Sequence, residues 1–286
     1  MKDYILSIDQ GTTSTRVIIF DKNFNFQSSS QKEFKQIFPR DVEVEHDPKE
    51  IYESVLFTAK EAIRKAKIKS SQIRSIGITN QRETTVLWDK SNGKPVYNAI
   101  VWQDRRTVKF CKSLVQKGFA KKIQKTTGLI VDSYFSASKI HWLLNNSKKA
   151  KELLKKDKLL FGTIDTWLLW KLTDGQSHYT EATNASRTML FDIKKNQWSK
   201  DMLQIFKVPK KILPIVKDSA DDFGQTTKFG SQIPIQGIAG DQQAATIGQA
   251  CLEPGSIKST YGTGCFIIMN VGSKLKYSRN KLLSTI

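Results

Sequence analysis

Leu6 to Phe20 reads LSIDQGTTSTRVIIF. Ile5, Leu6 and Ile8 mark one buried strand, and Val17, Ile18, Ile19 and Phe20 mark a second. Between them Asp9, Gln10, Gly11, Thr12, Thr13, Ser14 and Thr15 bring one carboxylate, one glycine and four hydroxyls to a single turn. A tight hairpin needs little more than Asn-Gly or Asp-Gly. Hydroxyls combined with the backbone N–H groups of a glycine-containing turn form a concave donor set suited to an anion. A solvated hairpin loop is the alternative reading.

Downstream, NFNFQSSSQKEFKQIF alternates like a half-exposed strand. HDPKEIYESVLFTAKEAIRKAKI predicts a helix with Asp47 at the N-cap, Pro48 at the first helical position and Glu50 placed for a capping box. Ile51, Val55, Leu56, Ala59, Ala62, Ile63 and Ala66 fall on one face of it. Residues 73–79, 84–89 and 96–102 read as strands, so strands flank a helix and the class is α/β. Residues 105–172 read as mostly helical, with Ser136 as a candidate cap and an apolar helix over 165–173. Residues 237–255 suggest a strand end, a glycine turn and a small-residue helix, and SIKSTYGTGCFIIMNVG suggests a second hairpin. That hairpin echoes the first: each has a strand, a Gly-Thr (Gly11-Thr12; Gly262-Thr263) and an apolar strand. Two such hairpins facing one cleft could clamp a polyphosphate. If Ser256 begins a second lobe, its roughly thirty residues are too few to hold a core alone: either these strands complete the first domain, or the chain is the front part of something longer.

The 286 residues carry 46 Lys+Arg against 27 Asp+Glu, a formal net charge of +19. Such an excess raises nucleic-acid binding. The basic residues are mostly lysines on the polar sides of helices, such as Lys148, Lys149, Lys151, Lys155 and Lys156, without interleaved aromatics. They read as solvated surface, and a basic nucleic-acid-binding module is the alternative of another class. Three cysteines make no disulfide framework and no zinc spacing. The apolar start is too short for a signal peptide or membrane span, so a cytoplasmic location without membrane attachment is expected.

No P-loop, dinucleotide fingerprint or nucleophile elbow occurs. A scattered polar set remains: Arg82 and Glu83 in TNQRETT, Trp102 after an apolar strand, Tyr134 in DSYFS, and Asp241 with Gln242 in AGDQQAA. Neighbouring strand residues point to opposite faces, so Arg82 and Glu83 serve one ligand only if the backbone is irregular there. A surface ion pair, a core tryptophan and a helix N-cap are the bland readings of Arg82–Glu83, Trp102 and Asp241.

SIDQGTTSTR, GITNQRETTVLW, NAIVWQDRRT, GTIDTWLLWKLT, TNASRTMLFD, GIAGDQQAA and STYGTGCF occur in that order. Together they resemble the glycerol kinases of the FGGY carbohydrate kinase family, from about Tyr4 to Ile286. The resemblance implies an actin/hexokinase-like (RNase H-like) ATPase lobe with only the start of the second lobe present: a glycerol-binding domain over 1–250 and the beginning of a nucleotide-binding domain over 251–286. It implies ATP-dependent, in-line phosphorylation of glycerol to sn-glycerol 3-phosphate, with ATP/ADP and Mg²⁺. Thr12, Thr13, Ser14 and Arg16 would contact nucleotide phosphates, with Thr263 from the second lobe. Arg82, Glu83, Tyr134, Asp241 and Gln242 would hydrogen-bond glycerol, Trp102 and Phe266 would line its carbon edge, Asp241 would be the base, and Asp9 would position Mg²⁺ through water. RDVEVEHDP lacks the Gly-Trp pair usual before VEHDP, in a peripheral loop. The adenosine-holding segments of the family lie beyond the point where this chain stops. The expectation is therefore a chain that is incomplete, with little activity alone. Its partners would be glycerol and ATP, with a homo-oligomer in the full-length form or a separate chain supplying the missing lobe. A related kinase acting on another polyol or sugar is the alternative within the family.

Overall fold

The computed structural model describes residues 3–262 and 264–286. Alternating burial forms the first three strands, β1 (Tyr4–Gln10), β2 (Ser14–Asp21) and β3 (Phe26–Glu33), an antiparallel meander. Leu6, Ile8, Val17 and Ile19 point to one face. That face is covered by α1 (Pro48–Lys65), entered through the short β4 (Glu45–His46). Asp47 caps α1 by accepting from the Lys49 N–H. Glu50 closes no capping box; its carboxylate accepts the Lys35 N–H instead, tying the loop after β3 to the helix. Ile51, Val55, Ala59 and Ala62 are the buried stripe of α1.

The helix crosses to β5 (Ile73–Asn80), which lies parallel to β1. β6 (Val86–Asp89) follows. The run expected as a strand over 96–102 pairs only at β7 (Ala99–Ile100), because its N–H and C=O groups are taken up by short bridges to residues 44–45 and 85. Helices α2 (Val108–Gln116), α3 (Ala120–Thr127), α4 (Ser136–Asn146) and α5 (Lys148–Lys155) come next. The expected helical stretch is broken by β8 (Leu159–Gly162), an apolar tetrapeptide paired with β6 and too short to show a period. Then come α6 (Ile164–Leu172), β9 (Tyr179–Glu181), α7 (Ala182–Ala185), β10 (Phe191–Asp192), β11 (Gln197–Trp198), α8 (Lys200–Phe206), β12 (Ile215–Lys217) and β13 (Gln225–Thr226). β14 (Ile233–Gly240) returns to lie parallel to β5 and leads into α9 (Asp241–Gly248).

The main sheet runs β13-β14-β5-β1-β2-β3. Its parallel strands end level: Gln10 pairs with Asn80, and Asn80 with Gly240. Three loops therefore leave one edge side by side, where open α/β sheets bind ligands. The final hairpin, β15 (Ile257–Tyr261) with β16 (Cys265–Met269), forms a separate two-stranded sheet. It does not extend the main sheet. Its outer face exposes Ile257, Tyr261, Ile267 and Met269. Among the described residues no helix is long and apolar enough to cross a membrane.

Candidate active site

A cavity of about 170 Å³ opens at the level ends of β1, β5 and β14. Its wall contains Arg82, Glu83, Trp102, Tyr134, Asp241, Gln242 and Phe266, the seven residues singled out for glycerol, with Thr12, Gln81, Thr260, Gly262 and Gly264. Drug-sized pockets start at about 300 Å³, so this volume suits a molecule of a few heavy atoms.

The loop after β5 solves the problem of using two neighbouring side chains. Glu83 has φ +63°, and the Thr84 N–H donates to Arg82 O at 2.7 Å across it. This tight turn, in a region L-residues occupy at a cost of order 1–3 kcal/mol, brings both side chains to the cavity. They do not pair with each other. Arg82 Nε lies 3.0 Å from Asp241 Oδ1, at an angle that leaves the Nε–H without an aligned acceptor. Arg82 Nη1 donates to Gln243 Oε1 at 3.1 Å. Gly240, just before Asp241, lets the aliphatic stem of Arg82 pass close to the backbone: a Cβ there would sit 2.5 Å from Arg82 Cδ.

Glu83 is held by Arg187, whose Nε donates to Oε1 at 2.6 Å. Both side chains are buried, 2% and 4% exposed. The guanidinium also lies 5.3 Å from the Tyr134 ring and 5.1 Å from the Phe135 ring. Ser136 does not cap α4; its Oγ donates to Glu83 O at 2.9 Å, locking the strained turn. Lys139, fully buried, donates to the carbonyls of Ser133 and Tyr134 (both 2.6 Å) and of Phe135 (3.3 Å). It thus fixes the loop that presents Tyr134, and burial pulls its ammonium down to about 8. Burial, then the charge of Glu83, pushes the Tyr134 phenol up to about 12, so it remains a neutral donor and acceptor.

The apolar wall is a row of edge-on rings, Tyr134 to Trp102 at 5.6 Å and Trp102 to Phe266 at 6.1 Å. Trp102 Nε1 donates to Thr12 Oγ1 at 2.9 Å, joining this wall to the turn after β1. That turn is braced from behind. Gln81 Nε2 donates to Gly11 O at 3.0 Å, and Gln36 Nε2 to Thr12 O at 3.2 Å. Gln36 Oε1 meets His46 Nε2 at 2.7 Å. Burial lowers the His46 pKa to about 4, so the ring is neutral and this nitrogen is the donor.

The residues expected at phosphate are less gathered. Thr12 lines the cavity. Thr13 is exposed. Ser14 Oγ accepts from Gln31 Nε2, and Arg16 donates twice to Gln31 Oε1. The fourth hydroxyl of the turn, Thr15, is buried against Ser54 of α1 and is unavailable to a ligand. Thr263 lies outside the described residues. Asp9 stands opposite Arg16 in the ladder. Its carboxylate is solvent-accessible on one side, yet desolvation on the others raises its pKa, Asp241 adds to the rise and Arg16 opposes it. Asp241 is also raised, first by burial and then by Glu83, with Arg82 opposing. The charge of Asp241 acts on Asp9, and a cation beside such a carboxylate would offset that repulsion. Among the described residues no three His, Cys, Asp or Glu side chains form a protein cage for a metal. Mg²⁺ characteristically needs only one or two carboxylates besides substrate phosphates.

Arg187, Lys139, Gln36 and Gln81 were not identifiable from local sequence. Gln81 and Arg187 lie inside the motifs GITNQRETTVLW and TNASRTMLFD, yet only the folded chain shows that each of the four is placed behind a cavity residue. A larger groove of about 1120 Å³ lies between α1 and residues 92–98. Its acids are already engaged: Glu45 with Arg106, Asp47 as a cap, and Glu53 with Lys49.

Residues 4–248 match the model of the FGGY family of carbohydrate kinases, N-terminal domain. Glycerol kinase of Sinorhizobium fredii is 56% identical over the whole chain, and glycerol kinase 2 of Thermotoga maritima is 54% identical over 99% of it. The chain spans 58% of the length of each. Among solved structures, Plasmodium falciparum glycerol kinase with ADP superposes with a TM-score of 0.93 at 41% identity, covering 99% of this chain and 57% of that one. A gluconate kinase from Lactobacillus acidophilus superposes at 0.83 with 25% identity, covering 92% and 53%.

Proposed function

The chain belongs to the FGGY family of carbohydrate kinases, and from that premise we propose that it is the glycerol-binding portion of an ATP-dependent glycerol kinase. The observation that carries the reading is the convergence of Arg82, Glu83, Tyr134, Asp241 and Gln242 on one small cavity backed by Trp102 and Phe266. Glycerol has three hydroxyls and little apolar area. A selective site must offer donors and acceptors to each, because a pocket built around hydroxyls rejects analogues that lack them. Here Arg82 donates, Glu83 and Asp241 accept, and Tyr134 does both. The ring wall meets the carbon edge. The volume favours a triol over the longer substrates of sugar kinases.

In the reaction, a glycerol hydroxyl oxygen forms a bond to the γ-phosphorus as the bond to the leaving ADP oxygen breaks. The hydroxyl proton passes to Asp241. The transition state is loose, so the proton moves late and a carboxylate suffices as base. Thr12 and the Gly11 turn supply donors to phosphate from one side, and Gly262 and Gly264 line the same cavity. Asp9 would hold Mg²⁺ through water, which offsets polyphosphate charge. The product is sn-glycerol 3-phosphate. We assign 1–250 to the glycerol-binding domain and 251–286 to the beginning of the nucleotide-binding domain, whose remaining part would cover Ile257, Tyr261, Ile267 and Met269.

A coupled assay for glycerol 3-phosphate tests this. A polypeptide that joins this sequence to the nucleotide-binding part of a relative phosphorylates glycerol in preference to xylulose and gluconate, whereas the 286-residue chain alone turns over weakly or not at all. A sugar as the preferred substrate of the longer form would overturn the glycerol assignment, and rapid turnover by the short chain would overturn the assignment of nucleotide binding to absent segments.

A further inference from the structure

β15 is patterned inside out. Ile257 and Tyr261 are exposed, while Lys258 between them is 3% exposed. A buried lysine flanked by exposed apolar side chains contradicts ordinary strand patterning, and such contradictions concentrate at functional sites. Lys258 Nζ donates to Gln242 Oε1 at 2.7 Å. Gln242 is itself buried, 6% exposed, and lines the cavity. Two residues along the same face of β15, Thr260 lines the cavity as well.

An amide side chain is symmetric in shape and opposite in chemistry at its two ends. An ammonium has three donors and no acceptor. The reversed amide would set N–H against N–H. Lys258 therefore decides which end of Gln242 faces where: the oxygen is turned away from the cavity, and the NH₂ is left beside Asp241, 3.4 Å from Oδ2. We propose that Lys258 is a positioning residue that fixes the Gln242 amide as a hydrogen-bond donor to the cavity, so that this part of the wall recognises a substrate oxygen through its lone pair. This rests on the polyol-binding reading and deepens it. Ionised Asp241 can only accept, and the oriented Gln242 can only donate. A substrate hydroxyl placed between them is bound with its lone pair toward Gln242 and its proton toward Asp241, the orientation that proton transfer to Asp241 requires. The residue that sets this orientation comes from the hairpin after residue 250, while the amide it orients comes from α9.

The test is a double-mutant cycle on glycerol affinity, measured by calorimetry on the 286-residue chain. Lys258→Met weakens glycerol binding about tenfold, the worth of one hydrogen bond. Lys258→Arg, which keeps the donor, stays within about threefold. In a Gln242→Ala background, Lys258→Met adds less than about twofold, because both changes remove the same contact. Additive losses would show that Lys258 serves only to pack the hairpin, and would overturn the proposal. A second readout needs no ligand. The Gln242 side-chain amide resonances, identified by their loss in Gln242→Ala, shift in Lys258→Met and keep their positions in Lys258→Arg. Unmoved resonances in Lys258→Met would overturn the proposal on their own. Absence of glycerol binding by the unsubstituted chain would count against the glycerol reading, while the resonances would still decide the role of Lys258.

Discussion

Arg187→Met tests the least visible part of the site. Arg187 and Glu83 meet at 2.6 Å with almost no solvent contact. Methionine keeps much of the arginine stem and its packing against Tyr134 and Phe135, so the change removes charge and donors more than volume. It leaves Glu83 as a buried carboxylate without its partner. Breaking one side of a buried pair costs about 3–5 kcal/mol. With a urea dependence near about 3 kcal/mol/M, the unfolding midpoint falls by roughly 1–2 M. The pair Glu83→Gln with Arg187→Met removes both charges of this ion pair, so it regains at least about half of that loss. Glycerol affinity does not return, because the acceptor carboxylate is gone. Urea titration with calorimetry on the three variants separates the two effects. A midpoint shift for Arg187→Met below about 0.3 M, under about 1 kcal/mol on the same dependence, would refute the claim that Arg187 neutralises Glu83 inside the protein.

Three further outcomes follow from the same geometry. The Asp241 pKa is raised by burial and Glu83, and the proposed role as base requires it ionised. In a polypeptide that joins this sequence to a nucleotide-binding domain, the proposal predicts that kcat/KM is lost on the acid side at a pH above the ordinary aspartate value of about 3.9, and that Asp241→Asn lowers kcat by about 10²–10⁴ at all pH values. Trp102→Phe keeps the ring and loses the donor to Thr12, costing about 0.5–1.5 kcal/mol; a glycerol affinity unchanged within error would show that the Thr12 link does not shape the cavity. Asp165 is fully buried, accepts from Thr163 and Thr180, and burial raises its pKa to about 6. The folded state holds that proton more tightly than the unfolded chain. The resulting cost is absent below about pH 4 and complete above about pH 6, so Asp165→Asn gains melting temperature relative to wild type at pH 7.5 compared with pH 5. An unchanged difference between the two pH values would contradict it.

The frame of this fold was legible because it rests on local signals. The period-two burial of Leu6 and Ile8, the Asp47-Pro48 start of α1 and the 3.6-residue stripe from Ile51 to Ala62 all reappear in the structure. β8 was missed because four buried residues, Leu159 to Gly162, show no period. The Arg82–Glu83 problem was visible as a conflict with strand alternation, and the positive φ of Glu83 resolves it. The bland readings fail for Arg82, which meets Asp241 rather than Glu83, and for Asp241, which is the first residue of α9 with Gly240 at the cap. The supporting residues stayed hidden for a physical reason. Arg187, Lys139 and Lys258 are charged side chains that a single sequence assigns to solvent, and their partners lie more than fifty residues away for Arg187, in the loop just before α4 for Lys139, and on α9 for Lys258.

Crystals of the 286-residue chain grown with glycerol test the central claim most directly. The account predicts one triol in the cavity at the ends of β1, β5 and β14, with oxygens on Arg82, Glu83 and Asp241 and its carbon edge against Trp102 and Phe266. Glycerol bound elsewhere while this cavity holds only water would contradict it.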